Sequence, residues 1–173
     1  MQYSVGENVV HPAHGAGEIV KVEEQELVSG FKRYYVIEFL SKRLTMRVPI
    51  RKTDDLGIRA VMTGARLEQV FKVLRKLPTE LPSNFKERRH LVDNLIRSGY
   101  PTKIAEAVRE LSWRRKDKHL TKADAELLSQ GRDLLSTEIA LTLGCDVVEA
   151  QQRMDVAVAE SIEIRLAQPP VTV

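Results

Sequence analysis

Residues 33–50 read RYYVIEFLSKRLTMRVPI. Successive side chains of a strand point to opposite faces, so Tyr35, Ile37 and Phe39 fall on one side and Tyr34, Val36 and Glu38 on the other. Ser41-Lys42-Arg43 then gives a polar turn, and residues 44–50 resume a run suited to a pleated, half-buried surface. Working outward, residues 7–10 and 18–23 are similar short runs, and turn signals stand at His11-Pro12, Gly15-Ala16-Gly17 and Ser29-Gly30. Four or five strands in about 55 residues predict a small antiparallel β-barrel of the SH3-like or Tudor-like kind.

Past Gly57 the apolar period changes from two to 3.6 and stays there. Leu67, Val70, Phe71 and Leu74 form one helical stripe, and Leu77-Pro78-Thr79-Glu80-Leu81-Pro82 interrupts it, because proline cannot continue a helix. A second helix is expected over 84–98, with Ser83 as its N-cap and Gly99 as its stop. A third begins near Thr102 and presents Ile104, Val108 and Leu111. Thr121 caps a fourth carrying Leu127, Leu128, Leu134, Leu135 and Ile139, which Gly144 closes. Asp146 with Glu149 opens a fifth, carrying Val147, Ala150, Met154, Val158 and Ile162. The fold class is therefore α+β: a β module over 1–60, an all-α bundle of about five helices over 64–166, and a frayed tail over 167–173.

The 173 residues are 43% hydrophobic, 29% charged and 5% aromatic, a globular composition with a largely aliphatic core. No run approaches the roughly 18 apolar residues of a membrane span, and MQYSVGENVV lacks a basic stretch followed by an apolar one, so a cytoplasmic location without membrane attachment is expected. Cys145 is the single cysteine, which excludes an intrachain disulfide; it reads as a small core filler rather than a reactive thiol. The net charge of +3 is unevenly spread. Residues 64–120 hold 14 Lys and Arg against 7 Asp and Glu, a surplus of +7 between a nearly neutral head and an acidic tail. Such a block suits a polyanion, whose counterions it would release, or else a solvated helix surface balanced by its acidic neighbours.

Chemistry-bearing patterns are weak. His11-x-x-His14 lies in a turn without further ligands at metal-binding spacing. Glu23-Glu24 and Asp54-Asp55 are adjacent and diverge on a strand. Gly15-Ala16-Gly17 lacks the Lys and the setting of a phosphate loop, and no serine sits in a nucleophile elbow. No catalytic centre, cofactor or metal is expected. Two basic clusters remain: Phe85 with Lys86, Arg88, Arg89 and His90, and Trp113 with Arg114, Arg115, Lys116 and Lys118. Each pairs phosphate-seeking charge with an aromatic able to stack or wedge. Phe85 lies nearly over Val92 on a helical wheel and could equally be core. Trp113 lies opposite Ile104 and Val108, on the side of Glu106, Arg109 and Lys116, either exposed or packed on another element.

Several stretches together resemble a known family. Val5-Gly6-Glu7-x-Val9-Val10-x-Pro12-x-His14-Gly15-x-Gly17, Tyr34-Tyr35-Val36, Leu44-x-Met46-Arg47-Val48-Pro49 and Gly57-x-Arg59 resemble the RNA-polymerase-interacting domain shared by CarD/CdnL transcription regulators and transcription-repair coupling factor. The likeness continues through Val70-Phe71-x-Val73-Leu74, Pro82-x-Asn84-Phe85, Arg88-Arg89 and Ile104-Ala105-Glu106-x-Val108-Arg109-Glu110-Leu111, in the same order. No helicase motor follows, so a regulator is expected rather than the coupling factor. The resemblance implies a Tudor-like domain that docks on the RNA polymerase β subunit, with Arg47, Pro49, Val36 and Gln25 at the contact. It implies a helical domain that meets double-stranded promoter DNA at the upstream edge of the bubble through Phe85, Lys86, Arg88, Arg89 and His90, stabilising the open complex. It further implies a nucleoid-associated monomer. Here Phe85 replaces the family's usual Trp wedge, Glu87 a usual Arg, and Gln25 or Glu26 a usual basic residue, which lowers the expected strength of those contacts. The other reading of the residues is an RNA- or ribosome-binding protein whose SH3-like barrel reads RNA.

Overall fold

A computed structural model describes residues 2–168. Five strands, β1 (Asn8–His11), β2 (Gly15–Val28), β3 (Phe31–Phe39), β4 (Leu44–Pro49) and β5 (Arg59–Ala60), form one antiparallel sheet in the order β4-β3-β2-β1-β5. The sheet is open where a closed barrel was expected. β5 spans only two residues and pairs with β1, while β4 pairs with β3 alone, so the two edges never meet. Tyr35, Ile37 and Phe39 do share the inner face, packed with Tyr3, Val9, Ile19, Val48 and Ile58. A Tyr pair ties the chain start to this core: the Tyr3 amide donates to the Tyr35 hydroxyl at 2.7 Å, and that hydroxyl donates to the Tyr3 carbonyl at 2.9 Å.

The turn between β1 and β2 lies at 12–14, beside the expected His11-Pro12 signal, and not at Gly15-Ala16-Gly17, which begins β2. Close approach explains those glycines. A Cβ on Gly17 would stand 2.5 Å from the Glu38 carbonyl oxygen, and Gly15 holds φ +81 with Thr137 Oγ1 2.9 Å from where its Cβ would be.

Five helices follow: α1 (Gly64–Arg75), α2 (Phe85–Arg97), α3 (Pro101–Asp117), α4 (Lys122–Leu143) and α5 (Val147–Leu166). The N-cap of α2 is Asn84, one residue later than expected, because its side chain reaches the amides of Lys86 and Glu87. At α4 and α5 the caps fall at the expected residues, although the reciprocal box forms at the first and not, as expected, at Asp146 with Glu149. Thr121 and Asp124 form a reciprocal capping box at α4, Gly144 ends that helix in the left-handed conformation, and Asp146 caps α5. Leu67, Val70, Leu74, Val92, Ile96, Ile104, Val108, Leu111, Leu135, Ile139, Met154 and Val158 share a second core. Cys145, half-buried, packs at its edge. Of the expected tail, Ala167 and Gln168 form a turn beyond α5, and 169–173 lie outside the described residues.

The two cores meet along α4, which is buried without interruption from Leu134 to Ala140. The start of β2 rests on Thr137, whose Oγ1 accepts the Ala16 amide at 3.3 Å. Glu138, 1% exposed, accepts from both Arg59 Nη1 (2.6 Å) and Nη2 (2.9 Å), and from the Met62 amide (2.8 Å). Arg59 also donates to the Gly99 carbonyl, just past the end of α2, from Nη2 at 2.8 Å and Nε at 3.1 Å.

Candidate functional surfaces

The first surface is the outer face and free edge of the sheet. The register sets Lys21, Val36 and Arg47 in one row across β2, β3 and β4, and Glu23, Tyr34 and Pro49 in the next. Side chains of a row share a face, so Arg47 reaches diagonally over β3 to Glu23, Nε to Oε2 at 2.7 Å, while Lys21 approaches the same carboxylate at 3.3 Å. The Arg47 hydrogen bond holds the Glu23 carboxyl below the usual range and raises Arg47 in turn. Arg47 remains half-exposed. Val36 and Tyr34 are buried beneath these charges, so Val36 supports the face rather than presenting itself. Pro49 ends the edge strand opposite Tyr34, a position at which proline is tolerated. Gln25 is exposed farther along β2, where the pairing slips between Glu24 and Val28. It lies within that irregular stretch, not in the row of Arg47.

The second surface is the start of α2. Phe85, the first helical residue, is 42% exposed, which rejects its reading as core. Lys86, Glu87, Arg89 and His90 are exposed around it. His90 is held by Asn94 one turn on, at 3.0 Å.

Arg88 is different, and its expected role as a DNA contact is corrected. It is 2% exposed: Nε lies 3.2 Å from both Asp124 oxygens, and Nη1 donates to the carbonyls of Pro82 (3.0 Å) and Ser83 (2.9 Å). Three residues on from Phe85, it lies beside that ring on the helix, with its guanidinium carbon 5.8 Å from the ring centroid, and reaches inward to Asp124. The carboxyl of Asp124 is pushed up by burial but held lower overall by hydrogen bonds from Arg88 and Thr121. Arg88 thus braces the entry to α2 against the start of α4.

Asp124 also draws the second basic cluster in. Arg114 Nε lies 4.0 Å from the same carboxylate, so the end of α3 and the starts of α2 and α4 converge on one corner of the bundle. Arg115, Lys116, Lys118 and Lys122 are exposed there. Trp113 turns away from solvent, 8% exposed with Arg165 of α5 over its ring at 5.8 Å. Arg109 is buried too, paired with Glu110 and donating to the Val73 carbonyl at 2.7 Å. Glu110 in turn holds the Thr79 amide at 2.7 Å, fixing the proline-rich connection. Part of the +7 surplus is therefore spent inside the bundle.

The rings of His11 and His14 lie in a tilted contact, centroids 4.6 Å apart, beside Phe39. Burial, chiefly, lowers both imidazoles from their ordinary pKa. Among the described residues no group of three or more His, Cys, Asp or Glu side chains could hold a metal ion, and no helix is long and apolar enough to cross a membrane.

A small open antiparallel sheet seated on a five-helix bundle with an exposed basic corner defines an α+β protein built in two parts. Residues 3–62 match the family model described as the CarD-like/TRCF RID domain, and residues 69–155 match that of the CarD C-terminal domain. The chain belongs to the CarD family of transcription factors. It is similar to the Bacillus subtilis (strain 168) protein named "Putative transcription factor YdeB", with 28% identity over 142 residues that cover 82% of this chain and 93% of that protein.

Proposed function

We propose that the chain is an RNA polymerase accessory factor whose two modules divide the work. In this reading residues 1–60 dock on the polymerase β subunit through the outer face around Arg47 and Pro49, with Gln25 nearby. Residues 64–166 meet promoter DNA at the upstream edge of the bubble, where Phe85 enters a minor-groove step and Lys86, Arg89 and His90 take phosphates. The contact holds the open complex. The observation that carries this is Phe85, exposed at the first position of α2 and braced from beneath by Arg88, in a chain whose halves match the two CarD-family models in order. An apolar side chain able to enter a base step needs a rigid mount, since the unstacking it causes costs a few kcal/mol per step. Asn84, Arg88 and Asp124 supply that mount.

The test is a pull-down of the polymerase β lobe with the full chain and its Arg47→Glu variant, together with open-complex lifetimes. Loss of the lobe on Arg47→Glu and a longer lifetime with the unaltered chain are expected. Intact binding by Arg47→Glu removes the docking surface. Tighter binding to RNA than to promoter DNA, without dependence on polymerase, replaces the whole reading with that of an RNA-binding protein.

A further inference from the structure

A helix at a protein surface buries one stripe. Over 134–140, α4 buries every side, and two of the residues responsible, Thr137 and Glu138, are polar and face the sheet module. Glu138 is the more demanding of the two. A carboxylate at 1% exposure needs its hydrogen bonds, and all three donors from outside its helix lie on one short stretch, two on Arg59 and one on Met62. Any rotation of the modules that withdrew Arg59 would leave the charge buried with one remaining donor. The fork of a guanidinium also fixes direction, because its two N–H groups must meet two carboxylate oxygens in one plane.

The same guanidinium binds the Gly99 carbonyl, just past the C-terminal end of α2. The other end of that helix is held to α4 by Arg88 and Asp124. The helix bearing Phe85 is thus pinned at both ends, once to the bundle and once to the sheet module. Nothing in a tether between independent binding modules requires this.

We propose that Arg59, Glu138 and the Gly99 carbonyl form a positioning clasp. It sets the angle and distance between the sheet edge and the start of α2, so that a partner gripped by one and a duplex met by the other are engaged together. Two linked sites reinforce each other only when the span between them fits both, and a fixed span gives the largest reinforcement. The coupling to the duplex rests on the reading under Proposed function; the fixed orientation itself does not.

The experiment uses the full chain with Cys145→Ser and spin labels at exposed Glu18 on β2 and Glu106 on α3, read by double electron–electron resonance. Two backgrounds are compared with the native clasp: Glu138→Gln, and Arg59→Met with Glu138→Gln. The double variant removes both charges, while the side-chain amide oxygen that Glu138→Gln introduces still accepts the Met62 N–H, which guards against misfolding. A single narrow distance is expected for the native clasp and a broadened or displaced one for the double variant. Binding to the isolated β lobe and to duplex DNA should each stay within about twofold, while the open-complex lifetime falls about fivefold or more. A narrow, unshifted distance in the double variant overturns the clasp. A broadened distance with an unchanged lifetime overturns its coupling role. If the native chain fails to lengthen the lifetime at all, the promoter reading fails, and the distance measurement still decides whether Arg59 and Glu138 set the orientation.

Discussion

Arg47 and Arg88 both fall in stretches that resemble the same family, and both make an ion pair, yet they live in opposite surroundings. Arg47 is 51% exposed in its pair with Glu23, whereas Arg88 and Asp124 are 2% and 1% exposed. An exposed pair exchanges water for a partner at little net gain and can exchange that partner again for a ligand. A buried pair cannot be opened without stranding a charge. The same residue type therefore forms a pair open to solvent on the sheet and a fixed brace in the bundle.

The sharpest way to break this contrast is Arg88→Ala. It leaves Asp124 buried without its guanidinium and is expected to cost about 3–5 kcal/mol, read by chemical denaturation. A loss below about 1 kcal/mol would mean that water reaches Asp124 and that Arg88 is no brace. Next in size is an acid effect. Because the Asp124 carboxyl is held below its usual value in the fold, the unfolded chain takes up the proton first. Its contribution is complete above about pH 4 and is lost as pH falls through the native value. Asp124→Asn should flatten that part of the stability–pH curve, and an unchanged acid limb would refute the assignment. Phe85→Ala is expected to change stability by no more than about 1 kcal/mol, since the ring is largely outside the core. Under the promoter reading it shortens the open complex more than it weakens polymerase binding. A large fall in stability would instead make the ring part of the core. The smallest effect on stability belongs to Arg47→Ala, which should leave the unfolding midpoint unmoved; under the proposed docking reading it weakens capture of the β lobe, and undiminished capture removes Arg47 from the contact.

Much of the fold could be read ahead of the structure, because its signals are local. The alternation in Tyr34–Phe39, the change of period after Gly57, and the caps at Thr121, Gly144 and Asp146 each depend on a few neighbouring residues. What escaped depends on contacts distant in sequence. Gly15 and Gly17 looked like a turn because the demands of Thr137 and the Glu38 backbone are invisible locally. Sheet closure depends on whether β4 meets β5, which no strand announces by itself. Among the candidate contacts, wheel position left Phe85 open and placed Arg109 with Glu106 and Lys116 on a polar side, although Arg109 is buried beside Glu110. Arg88 looked like its neighbour Arg89; only Asp124, 36 residues on, separates them. A single acidic residue within a capping box, Thr121 to Asp124, was the one available hint, since it marked a carboxylate fixed at a helix start.

The seat of the sheet on α4 joins residues far apart along the chain, Ala16 to Thr137 across 121 positions and Arg59 to Glu138 across 79. The hairpins of the sheet, in contrast, close over short loops. Loop-closure entropy orders these events: hairpins form early, and the seat forms only when the fourth helix is present to receive it. During synthesis the sheet can thus reach its own shape while the residues that will aim it are still within the ribosome, and the chain acquires its working geometry last.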